Sequence, residues 1–153
     1  MSRIATGLIM FSTCILLLIA AAVVASDDDI SRHRSCSYCG MDRKMYGYSR
    51  MLIGYEDGTQ AGLCSLHCAV TEMNAHKEKR LSSLQVADRN GHELIFAEKA
   101  IWIIGGSKRG VMTARAKWAF AAKESAEKFV SAYGGKVVSW ETALSAAQED
   151  AQP

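Results

Sequence analysis

The sequence predicts an α+β protein made of two small repeated β-β-α-β units with antiparallel hairpins, and three observations carry that expectation. Short strand-like runs surround Asp57-Gly58 and Asn90-Gly91, dipeptides that favour tight hairpin turns. Two helical stripes, Leu66, Ala69, Val70, Met73 and Ala126, Phe129, Val130, Tyr133, share one spacing sixty positions apart. Four cysteines fall in the first unit alone, as Cys36-x-x-Cys39 and Cys64-x-x-x-Cys68.

The chain opens on a segment of a different kind. Arg3 precedes an uncharged run over 4–26, and Asp27, Asp28 and Asp29 follow it. Residues 1–26 therefore read as a signal peptide or membrane anchor. The run is long enough to span a bilayer, while Val23-Val24-Ala25 ahead of Ser26 also suits a signal peptidase. Arg3 on one side and three aspartates on the other favour an N-terminus left in the cytoplasm and a remainder sent outward. The expected location is the periplasm or the outside face of the cell membrane. Phe11-Ser12-Thr13 before Cys14 makes a poor lipid-attachment box.

The first unit is expected over 27–98. Strands at 50–56 and 59–63 flank Asp57-Gly58, and Ser65 can cap a helix that buries the first stripe. Strands at 84–88 and 93–97 then flank Asn90-Gly91. The second unit is expected over 99–145: strands at 100–104 and 117–120, a helix ending before Gly134-Gly135, and a strand at 136–140. Glu124 and Lys128 stand where the first unit has Cys64 and Cys68, and a long loop over 105–116 carries Met112. Residues 146–153 read as a disordered tail.

Beyond residue 26 about 125 of the 153 residues remain, enough for one domain or two very small ones. With 18 basic and 16 acidic side chains the net charge is +2, and it falls to +1 without Arg3. No strong field exists to collect nucleic acid, so nucleic acid is not an expected partner. No Ser-His-Asp set, carboxylate pair or phosphate loop is evident, and an enzyme is not expected.

Two close cysteines on a knuckle and two at the start of a helix can bring four sulfurs onto one ion. An exported protein meets oxidising conditions, so two disulfides are the alternative. Four thiolates in a closed tetrahedron suit Zn(II) as a structural ion, whereas thioethers beside thiolates suit Cu(I). Met41 follows Cys39 by two residues and tilts the site toward copper, although methionine is also an ordinary core filler. His67, between Cys64 and Cys68, should point away from their shared face as a surface residue. A redox role for Cys36-Ser37-Tyr38-Cys39 is a third possibility, but such a motif usually opens a helix, and this one runs into Gly40.

These residues resemble the NosL family, copper chaperones for nitrous-oxide reductase. The likeness is carried by Cys36-Ser37-Tyr38-Cys39-Gly40-Met41, Tyr55-Glu56-Asp57-Gly58, Cys64-Ser65-Leu66-His67-Cys68-Ala69, and Lys117-Trp118-Ala119-Phe120-Ala121 leading to Tyr133-Gly134-Gly135-Lys136. The cysteine layout is also similar to treble-clef-like modules of heavy-metal trafficking. The resemblance implies an exported, often membrane-attached protein that binds Cu(I) and passes it to a copper-accepting maturation protein or copper enzyme. Cys36, Cys39, Cys64 and Cys68 would supply thiolates, and Met41 or Met112 an auxiliary or hand-over ligand. Met112 falls where the family tends to place a functional methionine. Family members often carry a histidine shortly after it, whereas Thr113 and Ala114 follow here.

Overall fold

The computed structural model describes residues 28–152, so the apolar run expected as signal or anchor lies outside the described residues. Among the described residues no helix is long and apolar enough to cross a membrane. A short helix α1 (Asp28–Arg32) leads into the knuckle. The first unit then runs β1 (Met51–Tyr55), β2 (Gln60–Leu63), α2 (Leu66–Ala75), β3 (Leu81–Ala87) and β4 (Leu94–Phe96). The second runs β5 (Ile101–Ile104), β6 (Lys117–Phe120), α3 (Lys123–Tyr133) and β7 (Lys136–Val138), and α4 (Trp140–Asp150) closes the fold.

Both sheets are antiparallel, ordered β2-β1-β3-β4 and β6-β5-β7. In each unit the first strand is central, its hairpin partner lies on one side, and the strand returning from the helix lies on the other. The repeat read from the helical stripes is thus matched by strand order.

The hairpins form for local reasons. At 55–59 the Asp57 carboxylate accepts from the Thr59 amide at 2.9 Å, and Gly58 takes a φ of +81°. At the second hairpin the left-handed position belongs to His92 (φ 67°) and not to Gly91, because the Asp88 carboxylate gathers the amides of Asn90 and Gly91 and sets the loop's course.

Strand alternation makes the two units share one core. On β5, Trp102 packs into the cluster of Met51, Ile53, Leu63 and Val86, while its neighbour Ile103 faces the opposite way, onto Trp118, Phe120, Ala126 and Phe129. The second sheet is therefore covered by α3 on one face and by the first unit on the other. Arg89 reinforces the junction, its guanidinium 4.7 Å from the Tyr48 ring centre and 5.2 Å from that of Trp118.

Two expectations need correction. Residues 146–150 belong to α4 and not to a disordered tail, and the strand expected over 136–140 stops at Val138. Ser139 ends that strand and caps the helix, its hydroxyl accepting from the Thr142 amide. The helix buries only Ala143, Ala146 and Ala147, a stripe too weakly apolar to stand out in the sequence. It packs on the cysteine-bearing helix α2, and Trp140 lies 5.4 Å from Trp102.

Candidate metal centre

The site begins with a turn. The Cys36 amide donates to the Met41 carbonyl at 2.8 Å, and the Gly40 amide donates back to the Cys36 carbonyl at 2.9 Å. Gly40 closes the knuckle at φ +76°, a conformation that costs a side-chain-bearing residue energy. Beyond the hairpin, β2 ends at Leu63 and delivers Cys64. Ser65 then caps α2 by accepting from the Cys68 amide, which fixes Cys68 in the first helical turn.

A buried ionic frame holds the knuckle against this strand. Arg43 donates to the carbonyls of Leu63, Asp29, His33 and Met51 and to the Asp29 carboxylate. Arg50 takes the other Asp29 oxygen at 2.9 Å. Burial pushes the Asp29 carboxyl up, but the hydrogen bonds and charges of Arg50 and Arg43 together hold it below its ordinary range.

The four sulfurs of Cys36, Cys39, Cys64 and Cys68 lie within 4.8 Å of one another, and all four cysteines are free. Cys39 and Cys64 approach to 3.5 Å, Cys64 and Cys68 to 3.5 Å, and Cys39 and Cys68 to 3.7 Å. A tetrahedral ion with sulfur ligands at about 2.3 Å has edges of about 3.8 Å, so the donor set suits one thiophilic ion. Cys64 and Cys68 are fully buried and Cys36 is 3 % exposed, whereas Cys39 is only half-buried. The cluster meets solvent on the Cys39 side. Hydrogen bonding from the Cys64 and Cys68 thiols pulls Cys36 well below the usual thiol range, and the same contacts push Cys64 up to about 12 and Cys68 upward as well.

The two methionines take different positions. Met41 is half-buried and packs against the core cluster that contains the cysteines, with its carbonyl closing the knuckle. Met112 is 41 % exposed on the 105–116 loop with a φ of 58°. The residue before it, Val111, is buried in the same cluster as Cys36, Cys64 and Cys68. Val111 thereby seats the loop of the second unit on the shared hydrophobic core that includes these cysteines.

His67 differs from the surface residue expected. It is half-buried, its ring meets Tyr38 edge-on at 6.4 Å, and its Nδ1 is buried without a hydrogen-bond partner. Sequence reasoning also missed the Asp29, Arg43 and Arg50 frame, because two arginines and an aspartate spread over 22 positions carry no motif.

An antiparallel two-unit α+β fold with a four-cysteine cluster, three members buried and one half-buried, defines a small protein with a candidate thiolate metal centre. The chain belongs to the NosL family, whose description matches residues 27–146. Among solved structures it is similar to the copper chaperone NosL from Shewanella denitrificans, with a TM-score of 0.56 and 23 % identity, over 78 % of this chain and 92 % of that one. That likeness is one of fold. No curated protein matches the chain.

Proposed function

We propose that this protein is an exported copper carrier and not an enzyme, binding Cu(I) at Cys36, Cys39, Cys64 and Cys68 and delivering it to a copper-enzyme maturation system. The observation that carries this reading is the cluster's asymmetry: three buried thiols and one at the surface. A metal enclosed on all sides is held permanently, whereas one reached through Cys39 can be attacked by an acceptor's thiolate, thioether or imidazole and leave by stepwise ligand exchange. Membership of the NosL family and the likeness to a copper chaperone support copper as cargo. Met112, exposed next to Val111 of the shared core, is the hand-over ligand in this reading, and Met41 an auxiliary one.

Nitrous-oxide reductase maturation is the client system that the family resemblance favours, and the periplasm or the outside face of the cell membrane is the matching location. The apolar run over 4–26 would place the protein there, as a signal or as an anchor. Cu(I) is a cargo in this scheme.

The burial of Cys64 and Cys68 also favours a second reading, a structural Zn(II) site in an adaptor module. Anaerobic competition separates the two. Reduced protein is titrated with Cu(I) against a colorimetric chelator, with and without equimolar Zn(II). Cu(I) displacing Zn(II), with binding weakened in Cys64→Ser, supports the carrier. Zn(II) retained against Cu(I), with the fold lost on chelation, would sink it.

A further inference from the structure

The frame that holds the knuckle also carries charge. Among the described residues Asp29 is the single carboxylate paired with Arg43, and Arg50 shares it. The other acceptors of Arg43 are neutral: the carbonyls of Leu63, Asp29, His33 and Met51. Arg43 is fully buried, so the fold keeps a positive charge there that half of one carboxylate compensates. Water does not screen such a charge, and its location decides what it acts on.

That location is one residue along the chain from two of the cysteines. Arg43 Nε donates to the carbonyl of Leu63, which precedes Cys64. The guanidinium also lies against Gly62, where a Cβ would come within 2.8 Å of Arg43 Cζ, and the Gly62 carbonyl accepts from the amide of Ser37, which follows Cys36. Burial draws Arg43 below its ordinary range and Asp29 opposes this, while the Arg50 charge deepens the depression and negative charge on Cys36 relieves it.

We propose that Arg43 is the counter-charge of the metal–thiolate centre, and that Asp29 and Arg50 set how much of its charge the loaded cluster feels. The inference rests on the copper-carrier reading and adds to it the residue that favours loading. As Cu(I) binds, the sulfurs release several protons to solvent and gain a single positive charge, and no electron moves. The loaded centre is therefore more negative than the free thiols. In an interior of low effective dielectric that added negative charge gains from a neighbouring cation far more than it would at the surface. The N-terminus of α2, capped by Ser65 beside Cys64 and Cys68, contributes partial charge of the same sign.

The test uses the full-length, reduced protein and three variants, with Cu(I) affinity read by anaerobic chelator competition and stability by urea melts with and without the metal. Asp29→Asn removes the shared anion. A frame that was only structural would loosen and weaken binding, whereas the counter-charge should tighten Cu(I) at least about threefold and leave the variant a smaller stability deficit loaded than free. Arg50→Gln returns Asp29 wholly to Arg43 and should weaken Cu(I) by a similar factor. Arg50→Lys loses the same fork of hydrogen bonds but keeps the charge, and should bind more tightly than Arg50→Gln. Weaker binding in Asp29→Asn, or equal affinities in the two Arg50 variants, overturns the inference. If Asp29→Asn does not fold, the Arg50 pair decides alone. A wild-type cluster that takes no Cu(I) would overturn the carrier reading instead, and the same comparisons with Zn(II), whose tetrathiolate centre is also anionic, would then uphold or overturn the role of Arg43.

Discussion

The Asp29 carboxylate and the Arg43 guanidinium meet at 2.8 Å with side-chain exposures of 3 % and 0 %. Through this contact the first described helix is bound to the metal knuckle, since Arg43 also bonds the strand end that delivers Cys64. Arg50 shares the same carboxylate. Removing the anion leaves two buried guanidinium groups without a counter-charge, which costs far more than a surface pair would. Asp29→Asn is expected to lower stability by about 3–5 kcal/mol, read as the loss of unfolding free energy in urea.

Acid acts on the same contact, with a definite sign. The folded Asp29 carboxyl is held below its ordinary value, so its contribution is complete above the unfolded pKa of about 3.9 and is lost as pH falls toward the folded one. The stability gap between wild type and Asp29→Asn should therefore be constant from pH 7 to about pH 5 and shrink below about pH 4. Paired urea titrations across that range check it. A gap that widened in acid would show that Asp29 is not the ionised partner.

Exposure orders the cysteines. Cys39 is the half-buried member and the other three are buried, so alkylation of the reduced protein should modify Cys39 first and the rest only on unfolding. Cys64→Ser places a harder, smaller donor at a fully buried position and should weaken soft-metal affinity by at least about tenfold. Equilibrium competition against a chelator measures the second effect, and mass spectrometry of timed alkylation the first.

The Met112 loop is tethered from the far end of the chain. Asp150, on α4, receives Thr113 Oγ1 at 2.8 Å, Arg115 at 2.7 Å and the buried ammonium of Lys117. Asp150→Asn keeps the shape and removes the charge, leaving Lys117 buried without its anion. We expect a loss of about 1–3 kcal/mol and faster amide hydrogen exchange over 110–116 than in wild type. Exchange unchanged in that stretch would mean that Val111 alone seats the loop.

The contrast between what the sequence revealed and what it hid has a physical basis. Cys36, Cys39, Cys64 and Cys68 were legible because metal ligation demands particular atoms at short spacings, and Asp57-Gly58 because few residues tolerate its turn. The helices α2 and α3 were legible through leucine, valine and phenylalanine at helical intervals. By contrast α4 buries only alanines, and its start is signalled by Ser139 alone. The Asp29 frame depends on tertiary proximity that no local pattern encodes. The environment of His67 was hidden for a related reason: its burial comes from Tyr38 and from a loop more than forty residues away.

Met112 offers a test in which stability and function separate. Its φ of 58° lies in the left-handed region, which costs an L-residue about 1–2 kcal/mol and costs glycine nothing. Glycine loses about 0.5–1 kcal/mol through its freer unfolded chain, so Met112→Gly should be more stable than Met112→Ala by up to about 1.5 kcal/mol. Neither variant has a thioether. If the sulfur is the hand-over ligand, both should transfer Cu(I) to an acceptor equally slowly despite their different stabilities, and both should keep wild-type affinity at the cysteine cluster. If Met112 matters only through loop geometry, transfer should follow stability, with Met112→Gly at or above wild type. Stopped-flow transfer and urea melts on the same three proteins decide between these outcomes, because the strain is removed in one variant and the sulfur in both.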